Sequence, residues 1–123
     1  MKKVLIIDDD EVFRKTTGGM LSSHGYVIIE AKDGQEGLEV TEKEKPDLIL
    51  LDLVMPNMGG MNFLKILQQN DPSNKIPVLI TSNFSEGDRV SQGMEYGVRG
   101  YIVKSNESLK TIVSAVESIV GKP

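Results

Sequence analysis

The stretch Val4-Leu5-Ile6-Ile7-Asp8-Asp9-Asp10-Glu11 (VLIIDDDE) sets four apolar residues directly before four carboxylates. A continuous apolar, β-branched run of this kind suits a strand buried on both faces, as inside a parallel sheet. The carboxylates need a separate reason, because like charges crowded onto neighbouring residues repel.

The same alternation continues along the chain. Glu11 to His24 reads as a helix, with Phe13, Thr17, Met20, Leu21 and His24 on one face and Gly25 as its stop. Tyr26 to Ala31 is a second strand. Asp33 is placed to cap a helix running to about Lys45, with Pro46 beyond its end. Asp47 to Asp52, around LILL, is a third buried strand. A Pro-Asn-Met-Gly-Gly loop leads to a third helix marked by Met61, Leu64 and Leu67 and broken by Asp71-Pro72. Pro77 to Ser82 (PVLITS) is strand four. A fourth helix is expected from Ser85 or Glu86 to near Gly97, and a fifth strand from Gly100 to Val103. Ser108 opens a last helix with Leu109, Ile112, Val113, Val116, Ile119 and Val120 as its apolar stripe. Five strands alternating with five helices predict a doubly wound α/β domain with right-handed crossovers. In such folds the ligand site lies beyond the carboxyl ends of the strands.

Composition narrows the class. The chain has 123 residues, 39% hydrophobic and 26% charged, which fits one globular domain. It has no cysteine, which excludes disulfides and cysteine-based zinc sites. Met-Lys-Lys and four apolar residues are too short for a signal-peptide core, and no run could span a bilayer, so a cytoplasmic protein is expected. The net charge of −4 argues against non-specific nucleic-acid binding by this domain.

The strand ends carry the chemistry. Strand one delivers Asp8, Asp9 and Asp10, strand three Asp52, strand four Thr81 and Ser82, and strand five Lys104. Carboxylates converging in a crevice repel unless a cation sits among them, and a hard divalent ion with oxygen ligands, Mg²⁺ before others, meets that need. A hydroxyl and an ammonium opposite could hold the remaining oxygens of a phosphate. The set reads as a phosphoryl-transfer site. Asp10 is expected to turn away and cap the first helix, Thr81 to face the core or the sheet, and His24 to sit exposed at a helix end.

The motifs VLIIDDD, LILLDLVMP with its following Gly-Gly, PVLITS and GYIVK occur in that order over the whole chain. In this they resemble the receiver domain of bacterial response regulators, of chemotaxis-regulator type. The resemblance implies a flavodoxin-like (βα)5 fold, its parallel sheet ordered 2-1-3-4-5 with helices on both faces, and a single receiver domain over residues 1–123 with no output domain. It implies a two-component phosphoacceptor rather than an enzyme, with Asp52 taking a phosphoryl group from a histidine kinase or a histidine phosphotransfer protein. Asp9, Asp52 and the backbone carbonyl of Val54 would bind Mg²⁺ (or Mn²⁺) directly, and Asp8 through a metal-bound water. Ser82 and Lys104 would hold phosphoryl oxygens. Ser82 and Tyr101 would form a switch that reshapes the face of the fourth helix, fifth strand and fifth helix for a downstream protein, the chain being a monomer or a phosphorylation-dependent dimer. No membrane or nucleic-acid contact by this domain is implied.

Two other readings compete with this one. Asp8, Asp10 and Val12 also resemble the first motif of haloacid-dehalogenase-type phosphatases, but no acidic pair follows Lys104 on a further strand and Asp52 is left unused. A receiver-like interaction module without phosphorylation is opposed by retention of Asp8, Asp9, Asp52, Ser82 and Lys104. An EF-hand reading fails because its glycine position is Phe13.

The chain departs from the family at several points. Ser105 follows Lys104 where proline is usual, so a trans Lys104–Ser105 bond is expected. Asn83 stands beside Ser82 at the phosphate entrance, where a small residue is typical. Val54 and Phe84 flank the path of the hydrolytic water and are apolar, so slow self-dephosphorylation is expected. Gly18 and Gly19 are expected to lie opposite the Phe13/Thr17/Met20 face and leave a bare strip of helix to solvent.

Overall fold

The computed structural model describes residues 1–82, 97–104 and 108–123. Its elements in chain order are β1 (Lys3–Ile7), α1 (Glu11–Ser23), β2 (Val27–Ala31), α2 (Gly34–Glu44), β3 (Leu48–Leu51), α3 (Gly60–Asn70), β4 (Val78–Ser82), β5 (Val98–Val103) and α4 (Leu109–Val120). The fourth helix expected from the sequence lies outside the described residues, so the label α4 here belongs to the C-terminal helix. Every strand pair is parallel, and the order is β2-β1-β3-β4-β5. This is the doubly wound arrangement that the strand–helix alternation predicts, in the flavodoxin-like order that the resemblance implies.

Alternation along β1 explains its unbroken apolar sequence. Val4 and Ile6 enter a core with Leu21, Leu50, Ile112 and Val116. Leu5 and Ile7 enter the opposite core with Ile49, Leu51, Phe63 and Leu64. All four are fully buried, each contributing on the order of 1.5–3 kcal/mol of hydrophobic stabilisation.

The helix starts carry the expected caps. Asp10 Oδ1 accepts from Phe13 N–H at 3.2 Å, Asp33 Oδ1 from Glu36 N–H at 2.9 Å, and Ser108 Oγ from Thr111 N–H at 3.3 Å. Exposed His24 is the C-cap of α1. Glu44, at the end of α2, pairs with Lys3 at 3.6 Å.

Two local expectations are corrected. Strand five begins at Val98, two residues before the expected Gly100. The register passes from Val78↔Val98 to Leu79↔Gly100, leaving Arg99 as an extra residue. The second correction concerns α1. Its sheet-facing residues are Thr17, Gly18 and Leu21, so Gly18 is buried rather than exposed. A Cβ there would stand 3.1 Å from Ile28 Cγ2, whereas one on Gly19 would meet nothing within 4 Å. The bare solvent strip is reduced to Gly19. Phe13 is half-buried at the flank of the helix and does not mark the centre of its inner face. Among the described residues no helix is long and apolar enough to cross a membrane.

Candidate functional site

The parallel register aligns the ends of two central strands. Ile7 lies opposite Leu51. One residue on, Asp8 N–H donates to Ala31 O and Asp52 N–H donates to Ile7 O, both at 3.0 Å. The ladder thus carries Asp8 and Asp52 past the strand ends side by side. Asp8 is fully buried and Asp52 is 6% exposed. With exposed Asp9 they offer three carboxylate oxygens lying within 4.8 Å of one another.

Lys104 faces these acids from the end of β5. Its backbone N–H donates to Ser82 O at 2.7 Å, which ties the ends of β4 and β5 together. Its Nζ lies 2.5 Å from Asp8 Oδ2 and 3.7 Å from Asp52 Oδ2. The ammonium also stands over the Phe13 ring, 4.3 Å from its centroid. Asp52 Oδ1 accepts from Val54 N–H at 3.4 Å, and Asp8 Oδ1 from Asp10 N–H at 2.9 Å.

Burial and mutual repulsion act on the acids. Asp52 is pushed up to about 6, first by loss of solvent and then by the Asp8 charge, with Lys104 opposing. Asp8 is also raised, chiefly by burial, against the hydrogen bond from Lys104. A divalent cation fits such a donor set, because two buried carboxylates carry more negative charge than one lysine balances.

The other expected residues fall as follows. Ser82 is fully buried. On adjacent strands Ile80 pairs with Tyr101, so by strand alternation Ser82 and half-buried Tyr101 share one face of the sheet as diagonal neighbours. Thr81 is buried, as expected, and its hydroxyl has no hydrogen-bond partner among the described residues. Val54 is 48% exposed beside Asp52. Met55, Met58 and Met61 pack against the core that holds Phe63. Asn83, Phe84 and the Lys104–Ser105 bond lie outside the described residues.

Close packing explains the double glycine after the loop. A Cβ on Gly60 would lie 2.6 Å from Asp52 O and 2.9 Å from Leu53 Cα. Glycine therefore lets the start of α3 rest directly on the backbone that presents Asp52.

Two residues escaped the sequence reading. Phe13 packs against the core, as its place on the apolar face implies, but its ring also supports Lys104. Arg14 Nη1 donates to Asp8 O at 2.6 Å, while its Nε donates to Glu30 Oε1 at 3.2 Å. The available signal for Arg14 was a basic residue one helical turn past the Asp10 cap.

The family model for the response regulator receiver domain matches residues 4–117. Protein PilH of Pseudomonas aeruginosa is 34% identical over 119 residues, which covers 94% of this chain and 98% of PilH. The chemotaxis protein CheY4 of Vibrio cholerae superposes with a TM-score of 0.88 at 28% identity, over 97% of this chain and 98% of that one. The CheX-CheY-BeF3-Mg²⁺ complex from Borrelia burgdorferi gives a TM-score of 0.85 at 26% identity, over 96% of this chain and 88% of that chain. Some curated relatives are longer, and the chain spans 58% of one and 15% of another.

Proposed function

The chain belongs to the response regulator receiver domain family of two-component signalling, and on that premise we propose that Asp52 accepts a phosphoryl group from a phosphohistidine. The observation that carries the reading is the convergence of Asp8, Asp9 and Asp52 within 4.8 Å, with the Lys104 ammonium against two of them.

In the proposed reaction an Asp52 carboxylate oxygen forms the new bond to phosphorus. The phosphorus–nitrogen bond to the donor imidazole breaks, and the departing nitrogen keeps the electron pair and takes a proton. Asp8, Asp9 and Asp52, with the Val54 carbonyl, are the groups that would hold Mg²⁺ or Mn²⁺. The bound ion would offset repulsion between Asp52 and the incoming phosphoryl oxygens. Lys104 would move from Asp8 toward one of those oxygens, and Ser82 would donate a hydrogen bond to another. Tyr101, diagonal to Ser82, would respond by repacking the face beside β5. The donor is a histidine kinase or a histidine phosphotransfer protein, and the readout is a contact with a downstream protein. Half-exposed Val54 has no group to orient an attacking water, which supports slow loss of the phosphoryl group.

Incubation with Mg²⁺ and a small acyl phosphate tests this directly. A species about 80 Da heavier is expected, given the mass of one phosphoryl group, and Asp52→Asn removes it. No such species in the wild type leaves an interaction module that works without phosphorylation.

A further inference from the structure

The carbonyl of Asp8 lies where β1 ends and α1 has not begun, a position at which neither element supplies it a ladder or helix partner. Arg14 fills the gap. Its Nη1 donates to that carbonyl at 2.6 Å. The same guanidinium is held from behind by Glu30 at the end of β2, with Nε 3.2 Å from Oε1. Lys15 holds the other Glu30 oxygen at 2.9 Å. The Arg14 side chain is only 13% exposed. A planar fork anchored at both ends leaves little rotational freedom.

The peptide unit that Arg14 grips joins Asp8 to Asp9. Holding that plane restricts rotation about the Asp8 Cα–C and Asp9 N–Cα bonds on either side of it, which constrains the directions in which both carboxylates leave the backbone. The bond from Asp10 N–H to Asp8 Oδ1 sets the Asp8 side chain from the following residue. We infer that Arg14, oriented by Glu30, is a positioning residue for the divalent cation site, acting on the Asp8–Asp9 peptide without touching the ion. The inference rests on the reading that the acidic pocket holds such an ion. Groups that orient metal ligands in this way alter affinity by about 10-fold or more when removed.

The experiment titrates the full chain with Mg²⁺ alone by calorimetry, with urea unfolding of each metal-free variant alongside. Arg14→Gln is expected to weaken Mg²⁺ binding about 10-fold. Glu30→Gln, which frees the guanidinium from behind, is expected to weaken it by a smaller factor. Arg14→Lys, which keeps a donor and the charge, is expected to recover part of the loss. If Arg14→Gln does not fold, Glu30→Gln carries the test. An affinity within twofold of wild type for folded Arg14→Gln, or for Glu30→Gln where Arg14→Gln does not fold, overturns the positioning role while leaving the metal reading intact. A wild-type chain that binds no Mg²⁺ overturns both.

Discussion

The Lys104 ammonium lies closer to Asp8 than to Asp52, at 2.5 Å against 3.7 Å. Asp8 is fully buried, and among the described residues Lys104 is the cation paired with its carboxylate. Lys104→Met leaves two buried acids facing each other, a change that costs about 3 kcal/mol, the lower end for breaking a buried pair. Urea unfolding at pH 7 without metal measures it. The loss shrinks when Asp8→Asn is added, because the charge left behind is gone, and a double-mutant cycle reads the coupling.

Asp52 sets a pH dependence whose sign is opposite to that of a carboxylate held low by its salt bridge, because burial outweighs Lys104 here. Its value rises from 3.8 to about 6 in the folded chain. Between those values the folded state binds more protons than the unfolded state, so stability falls as pH rises through the window. The contribution is complete below about 4 and lost above about 6. The difference in stability between wild type and Asp52→Asn, followed from pH 4 to 7 without metal, isolates this from the other acids. Wild type loses ground to the asparagine variant as pH rises. Mg²⁺ at pH 7.5 restores wild type more than the variant, because a ligand that binds only the folded state adds stability.

The architecture followed from apolar runs of four to six residues ended by Gly, Pro and Asp, since these obey local rules. The acids and the lysine were readable because a parallel sheet sends every strand end to one edge. What escaped depends on approach between elements. Phe13 has the composition of a core residue, and only the end of β5 gives its ring a lysine. Arg14 has a role only because α1 swings back over the Asp8 carbonyl. Gly18 departs from its expected phase because Thr17, Gly18 and Leu21, not Phe13, centre the inner face of α1. Arg99 is extra only relative to β4.

Phe13 supplies the face on which the Lys104 ammonium rests. Such contacts contribute about 0.5–2 kcal/mol when partly desolvated. Phe13→Leu keeps most of the apolar volume and removes the ring. It is expected to slow phosphorylation by acyl phosphate by about threefold to tenfold, the rate equivalent of about 1 kcal/mol. Mg²⁺ affinity should change by less than that factor, since Phe13 touches the lysine and not the acids. Unchanged phosphorylation kinetics would return Phe13 to a packing role.

Gly18 and Gly19 separate two effects that sequence merges. Gly19→Ala adds a methyl to open space and is expected to raise stability by about 1 kcal/mol through helix propensity. Gly18→Ala sets its methyl 3.1 Å from Ile28 Cγ2, so repacking takes back part or all of that gain. Thermal unfolding of the two variants gives the higher midpoint to Gly19→Ala. Equal midpoints would mean that Ile28 yields freely.

Gly60 ties the start of α3 to the acidic pocket. The two nearest atoms a Cβ would meet there are backbone, Asp52 O at 2.6 Å and Leu53 Cα at 2.9 Å, so neither can rotate away. Gly60→Ala must push α3 off β3 or bend the chain after Asp52, at a cost of about 1–3 kcal/mol typical of forced overpacking. Because the displaced atoms belong to Asp52 and its neighbour, phosphorylation should fall further than stability alone accounts for. Gly59→Ala is the control, since its Cβ reaches Leu53 O at 3.3 Å and does not approach Asp52. Measuring urea stability and acyl-phosphate reactivity on both variants tests the point. A Gly60→Ala chain that keeps wild-type reactivity would show that the carboxylate is held by the sheet ladder alone.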